Sequence, residues 1–170
     1  MLGASICVAG AVAGATAYRI RGSEIFRRYT GRGVGTARIM WAAVCALVCA
    51  AGSPVLWLPA AVFVAHYAAA TLPQFGSIDI GRREGSAAVD ALKQSGRGLA
   101  AGIPVAAAYW FAGEAWLPPV LAGAAAGPLY ALAWLRPIPV EHLGEGDPPE
   151  TGELLYGAAV GLSLALGVTL

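Results

Sequence analysis

The sequence predicts an all-α, polytopic integral membrane protein, folded as a compact bundle of about six transmembrane helices in three hairpins. Two observations lead to this fold class. Of the 170 residues, 58% are hydrophobic and only 12% are charged, whereas soluble domains have about 25% charged residues. The charged residues also cluster in three regions, with almost uncharged stretches between them, as expected for membrane spans joined by polar loops. These regions are 19–38, 79–97 and 136–153.

Six apolar segments each have the length of a short membrane span. A helix of 17 residues covers about 26 Å, against a hydrocarbon thickness of about 30 Å. Because lipid offers no hydrogen bonds, backbone N–H and C=O groups must pair within each span, which requires helices. The predicted helices cover 2–18, 36–52, 57–73, 98–114, 117–135 and 154–170.

The first segment, MLGASICVAGAVAGATAY, precedes its positive charge. A secretory signal has basic residues before its apolar part, whereas here the first basic residue is Arg19. This order predicts a first transmembrane helix with the N-terminus outside.

The distribution of Lys and Arg predicts the orientation of the bundle. Loops 19–38 and 74–98 hold all but one of the eleven cationic residues, loop 136–153 holds Arg136, and the connections AGSPVLW and GEAWLPP hold none. Since Lys and Arg concentrate in cytoplasmic loops, the sequence predicts a multi-pass protein of the bacterial cytoplasmic (inner) membrane. Its charged loops are then cytoplasmic and both termini lie outside.

The two connections without Lys or Arg share a pattern. AGSPVLWLPAAV (51–62) and AGEAWLPPVLAG (112–123) both contain A-G and then W-L-P, and the loops before them share G-S and G-R-G. We therefore consider an internal repeat, 21–73 and 84–135, within a single transmembrane domain, 1–170. Chance agreement among the abundant Gly and Ala residues is the alternative.

The same connections predict how the following helices begin. Trp57 and Trp116 are expected at the outer interface, where an indole keeps its ring in the apolar zone and its N–H in water. Pro59, Pro118 and Pro119 are expected in first helical turns, where no intrahelical hydrogen bond is lost.

Small residues four positions apart predict close helix packing. Gly123 and Gly127 have this spacing, as do Gly157 and Gly161, and AGAVAG at 9–14 is similar. Such spacing allows two helix backbones to touch. Packing within the bundle is one interpretation, and a homo-oligomer interface is the other.

His66 is an ionisable residue about halfway along the third segment. Ionisable groups inside a membrane are costly and are therefore candidates for a functional role. An interhelical hydrogen bond or a small water pocket is one interpretation. A proton relay, ligand contact or gate is another, and metal or haem ligation is a third.

Two carboxylates join His66 as candidates for a polar path across the membrane. Glu114 in the outer turn is either a water-exposed group at the rim of the bundle or part of a pore mouth that attracts cations. Asp79 lies just past the inner end of the third segment, beside Arg82 and Arg83. A local ion pair or turn cap is expected for Asp79, and a pair with His66 is the alternative.

The first charged loop, YRIRGSEIFRRYTGRG, is rich in arginine. Guanidinium groups bind anionic lipid headgroups. The same property makes an enzyme that acts on a lipid phosphate a further hypothesis. No phosphate-binding or hydrolase motif supports such chemistry, so no catalytic residue is predicted. The residues predicted to contact headgroups are Arg19, Arg21, Arg27, Arg28 and Arg32.

Several function classes lack a sequence signal. Cys7, Cys45 and Cys49 lie in predicted spans without a C-x-x-C pair, so they are expected to be small buried hydrophobes rather than metal ligands. No cofactor is predicted. The chain also lacks a basic tail and the alternation of aromatic and basic residues that binds nucleic acid.

Three stretches, SIDIG (77–81), LAGAAAGPLYALAW (121–134) and GELLYGAAVGLSLAL (152–166), resemble small, uncharacterised polytopic membrane proteins of bacterial and prophage genomes. The resemblance covers roughly the second half of the chain. It implies the bacterial inner membrane and no particular activity.

The function expected from the sequence is a small channel or carrier for an ion or small solute, with His66 at mid-membrane and Glu114 at the mouth. The alternative is a non-catalytic scaffold or accessory subunit, of phage or prophage type, that acts by helix–helix binding. A lipid-phosphate enzyme is the third hypothesis. The expected partners are the lipid bilayer and a second copy or another membrane protein.

Overall fold

The computed structural model describes residues 2–22, 33–71, 87–134 and 150–170, and these residues form helices joined by short turns, with no strand among them. For the described residues, the prediction of an all-α fold with six helices is therefore confirmed, whereas the internal repeat stays a prediction. The helices are α1 (Leu2–Gly22), α2 (Gly33–Gly52), α3 (Leu58–Thr71), α4 (Ala87–Ala112), α5 (Leu117–Trp134) and α6 (Glu150–Thr169).

The helices extend beyond the apolar segments mainly at the charged ends. Helix α4 begins at Ala87 and includes Lys93 and Arg97 before its apolar part starts. Hydropathy marks where a segment becomes apolar, whereas a helix continues for as long as its backbone hydrogen bonds do. At the uncharged ends the boundaries agree with the sequence, and Pro59 and Pro118 lie in first helical turns as predicted.

Both chain ends and both turns that lack Lys and Arg lie at the same end of the bundle. Gly3 in α1 and Gly52 in α2 both lie next to Thr169 in α6. In the turn between α4 and α5, the Ala115 N–H donates to the Gly167 carbonyl at 2.9 Å. We call this the terminal end of the bundle and the opposite end the charged end.

Two pairs of helices cross with their backbones in contact. Helix α1 packs antiparallel to α6, and helix α4 packs antiparallel to α5, each with glycine against glycine. Such contacts are typical of helices that associate by close backbone packing. The helices of each pair are therefore very close together where they cross.

Ser95 compensates for a proline inside α5. Pro128 has no N–H, so it leaves the Ala124 carbonyl without its usual helical donor. The Ser95 hydroxyl donates to that carbonyl at 2.9 Å and accepts the Gly127 N–H at 3.1 Å. This pair of hydrogen bonds ties α4 to α5 near the charged end.

Large hydrophobic side chains are exposed on all six helices. Leu47 in α2 is 68% exposed and Phe111 in α4 is 82% exposed. Soluble monomers rarely leave extended apolar surface uncovered. Further examples, at least one for each remaining helix, are Val8, Val12, Val64, Leu121 and Leu155.

One helix, over Leu2–Ile20, is long and apolar enough to cross a membrane among the described residues. It lies near the N-terminus, where a signal sequence would meet the same criteria, and 22% of its apolar window is buried. The apolar parts of four other helices are 10–17 residues long, below the roughly 20 residues of an ordinary span. Length and composition therefore identify one candidate membrane span.

Candidate functional site

His66 points into the bundle from α3. Its exposed fraction is 5%, and it shares the inward face of the helix with Leu58, Val62 and Ala65. Residues four apart lie on the same side of a helix, which explains why 58, 62 and 66 are buried together. The same periodicity turns Val64 outward, with 63% of it exposed.

A small cavity lies beside the imidazole, between α3, α4, α5 and α6. Its volume is about 10 Å³, which is about the space that one water molecule requires. Much of its wall consists of residues with small or no side chains. The lining is His66, Gly98, Gly102, Val105, Pro119, Ala122, Gly123, Tyr156, Val160, Ser163 and Leu164.

Three polar side chains line this cavity. The Ser163 hydroxyl donates to the Val160 carbonyl of its own helix at 2.8 Å, and its oxygen remains able to accept a hydrogen bond. Tyr156 reaches the cavity from the same helix. Within the part of the chain that the structure describes, no protein group hydrogen bonds to the His66 imidazole, so its nitrogens are left to the cavity.

On its other side, the imidazole contacts a cluster of aromatic rings. Trp41 of α2 meets it edge to face, with ring centroids 5.7 Å apart. Tyr18 of α1 meets Trp41 and Tyr156 of α6 in the same way, each at 4.9 Å. These side chains are all at least nine-tenths buried. The rings hold His66 in place and join four helices around it.

Glu114 lies at the terminal end, in the turn after α4. Gly113, with φ of 78°, ends the helix, and the Glu114 N–H donates to the Tyr109 carbonyl at 2.9 Å. This is a Schellman motif, which requires a residue in the left-handed conformation and so favours glycine. The Ser53 hydroxyl donates to the Glu114 carboxylate at 2.6 Å, which joins the two turns that lack Lys and Arg.

Tyr109 lies between Glu114 and the cavity. It is fully buried, and its hydroxyl donates to the Leu164 carbonyl at 3.0 Å. Cys49 of α2 lies next to the same tyrosine. Since Leu164 also lines the cavity, buried polar groups extend from the Glu114 turn to His66.

The arginine loop and Asp79 fall largely outside the described residues. Arg19 lies in α1, partly buried at the charged end, and Arg21 lies in the same helix with its side chain outside the described part. The predicted headgroup contacts and the alternative His66–Asp79 pair therefore stay predictions. Outside the described ranges lie Arg27, Arg28, Arg32 and Asp79.

The predicted glycine faces are covered by the chain's own helices. A Cβ at Gly157 would lie 2.9 Å from the Gly14 carbonyl carbon, and one at Gly123 would lie 2.7 Å from the Gly98 carbonyl oxygen. Gly161 packs against Gly10 in the same manner. Close packing inside the bundle, one of the two interpretations from the sequence, accounts for these residues.

Sequence reasoning missed several residues around the cavity. Gly98 and Gly102 have the same four-residue spacing as the other glycine pairs, and the stretch GRGLAAG could have identified them. Ser163 and Tyr109 are polar residues within apolar stretches, so the sequence could also have identified them. No sequence signal indicated that Trp41 would contact His66, since this depends on how α2 and α3 pack.

Neither a search for metal ligands nor the comparisons with known proteins assign a further role to the chain. Among the described residues, no group of three or more His, Cys, Asp or Glu side chains could hold a metal ion. No protein-family model matches the chain, and comparisons with curated proteins and with solved structures give no match. The resemblance to prophage membrane proteins therefore stays a prediction.

Proposed function

We propose that this chain is a polytopic membrane protein in which all six helices lie in the bilayer. Two features support the proposal. Large apolar side chains are exposed on all six helices, while glycines and alanines occupy the contacts between them. Among the described residues, the charged side chains lie near the ends of helices, in the Glu114 turn or in the polar first half of α4, and they are absent from its apolar second half. Short helices can be accommodated by a locally thinner bilayer.

The function we propose is a channel or carrier for an ion or small solute. The observation that carries it is the cavity at His66, where an imidazole that is 5% exposed meets a space between four helices. A purely structural histidine would be expected to hydrogen bond to a neighbouring helix. The polar groups between this cavity and Glu114 provide the start of a path toward the terminal end.

Topology can be tested with single cysteines at the two ends of the bundle. Leu56 in the first uncharged turn is 95% exposed, and Arg97 near the charged end is also exposed. On intact cells, a membrane-impermeant maleimide should label Leu56→Cys and should label Arg97→Cys only after permeabilisation. The unaltered chain supplies the background from its own cysteines. Equal labelling of both variants, or recovery of the protein from the soluble fraction, contradicts the proposed topology.

Transport can be tested with the purified protein in liposomes. Fluxes of K⁺, Na⁺, Cl⁻, H⁺ and small neutral solutes should be compared with those of empty liposomes. We expect at least one flux above background, reduced by a substitution at His66. If no species moves while the protein is folded and inserted, the transport function is wrong.

A membrane scaffold that binds a partner is the second candidate. The glycine faces that would serve such binding are covered within the chain, as at Gly10 and Gly161. Partner binding would therefore have to use the exposed Leu, Val and aromatic side chains. Capture of a specific partner by an inserted protein with no transport would favour this candidate.

A further inference from the structure

We propose that the transported species is the proton, and that His66 carries it through the middle of the bundle by exchange with one water molecule in the cavity. This inference rests on the proposed transport function and names its substrate. Its support comes from the size of the cavity, the chemistry of its lining and the surroundings of the imidazole.

The cavity is small in this conformation. About 10 Å³ accommodates one water molecule, whereas a metal cation in a protein needs several oxygen ligands around it. The walls resist widening because they include backbone contacts. A Cβ at Gly102 would lie 2.6 Å from the Pro119 carbonyl oxygen, and Gly98 and Gly123 touch directly. A proton needs no such space, since it moves between hydrogen-bonding groups.

The lining offers groups that can exchange a proton. Imidazole is the side chain whose ordinary range of protonation is nearest to neutral pH. Among the described residues that line the cavity there is no carboxylate and no Lys or Arg, and Tyr156 is the other titratable group. A buried imidazolium without a counter-ion is costly, so His66 would hold the proton only briefly before releasing it. Water bridging His66 to Ser163 would supply the exchange partner.

Trp41 fixes the position of the imidazole beside the cavity. Its ring centroid lies 5.7 Å from that of His66, and the two rings are nearly perpendicular. Tyr109 lies on the terminal side of the cavity and Tyr156 on the charged side, so a hydroxyl is present toward each end.

The test is a proton flux assay in liposomes that contain a pH-sensitive dye. A K⁺ diffusion potential set by valinomycin should drive proton uptake by the unaltered protein. We expect His66→Gln to reduce that uptake by about tenfold or more, since an amide cannot carry the proton. Tyr67→Phe is the matched control on the same helix, because Tyr67 is exposed and stacks on Phe63 away from the cavity. It should leave the uptake unchanged.

Each outcome decides between the proposals. A flux of K⁺, Na⁺ or Cl⁻ that depends on His66, without proton flux, overturns the proton inference and leaves the transport function standing. Proton flux that is unaffected by His66→Gln also overturns the inference. Absence of every flux contradicts the transport function itself.

A second variant decides the question if His66→Gln does not fold. Ala122→Val adds methyl groups to a residue that lines the cavity and leaves His66 in place, so it should also reduce proton uptake. Unchanged proton uptake by a folded Ala122→Val protein would overturn the inference.

Discussion

Gly161→Ala is the most direct test of the packing between α1 and α6. The added Cβ would lie 2.8 Å from the Gly10 carbonyl carbon and 3.2 Å from the Gly14 Cα. Distances under 3.0 Å are essentially never seen for real Cβ atoms. Both neighbours belong to helix backbone, so no side-chain rotation can relieve the contact and the two helices must move apart.

The expected magnitude follows from two opposing effects. Overpacking of this kind costs about 1–3 kcal/mol, while Gly→Ala in a helix gains up to about 1 kcal/mol from backbone propensity. Gly96→Ala is the matched control, because Gly96 is helical and a Cβ there meets no atom within 4 Å. The difference between the two variants removes the shared propensity gain. Gly161→Ala should therefore be less stable than Gly96→Ala by about 1–3 kcal/mol.

The assay is equilibrium unfolding in mixed micelles by SDS titration, followed by far-UV circular dichroism. Separation of α1 and α6 should also weaken packing along the whole interface, so the transition should shift to lower SDS. If Gly161→Ala proves as stable as Gly96→Ala, the backbones of α1 and α6 are not in contact there. The arrangement of these two helices would then be wrong.

Three further substitutions test single interactions with the same titration. Ser95→Ala removes the donor to the Ala124 carbonyl and should lower the free energy of unfolding by about 1–2 kcal/mol; no loss would mean that this carbonyl has another donor. Tyr109→Phe removes the hydrogen bond to the Leu164 carbonyl and should cost about 1 kcal/mol, so an unchanged midpoint would contradict that bond. Gly113→Ala places a Cβ on a residue with φ of 78° in open space and should cost about 1 kcal/mol. Equal stability there would argue against the Schellman turn.

The order of the helices could be predicted from the sequence because segments in lipid must be apolar, whereas segments in water carry the charged residues. Six apolar runs with almost no charge marked six helices, and the W-L-P pattern placed Pro59 and Pro118 in first turns. The positions of the charged ends were less well predicted. Helix α4 starts well before its apolar part, because helical hydrogen bonding continues into polar sequence.

The site could be predicted only in part. His66 was identified from its cost in an apolar environment, and its burial agrees with that reasoning. The partners of the imidazole depend on which helices become neighbours, and hydropathy does not encode this. Glycine spacing could indicate close contacts, but it could not indicate that α1 pairs with α6 rather than with a second chain.

The same glycine contacts determine both the stability of the bundle and what its interior can accept. In an apolar solvent, helices associate through close packing rather than through the hydrophobic effect, so small residues at the crossings bring backbones together. Four helices drawn this close around His66 leave room for about one water molecule. Widening the cavity for a larger solute would require breaking contacts such as Gly98–Gly123. A protein stabilised in this way is better suited to passing protons between fixed groups than to opening a pore.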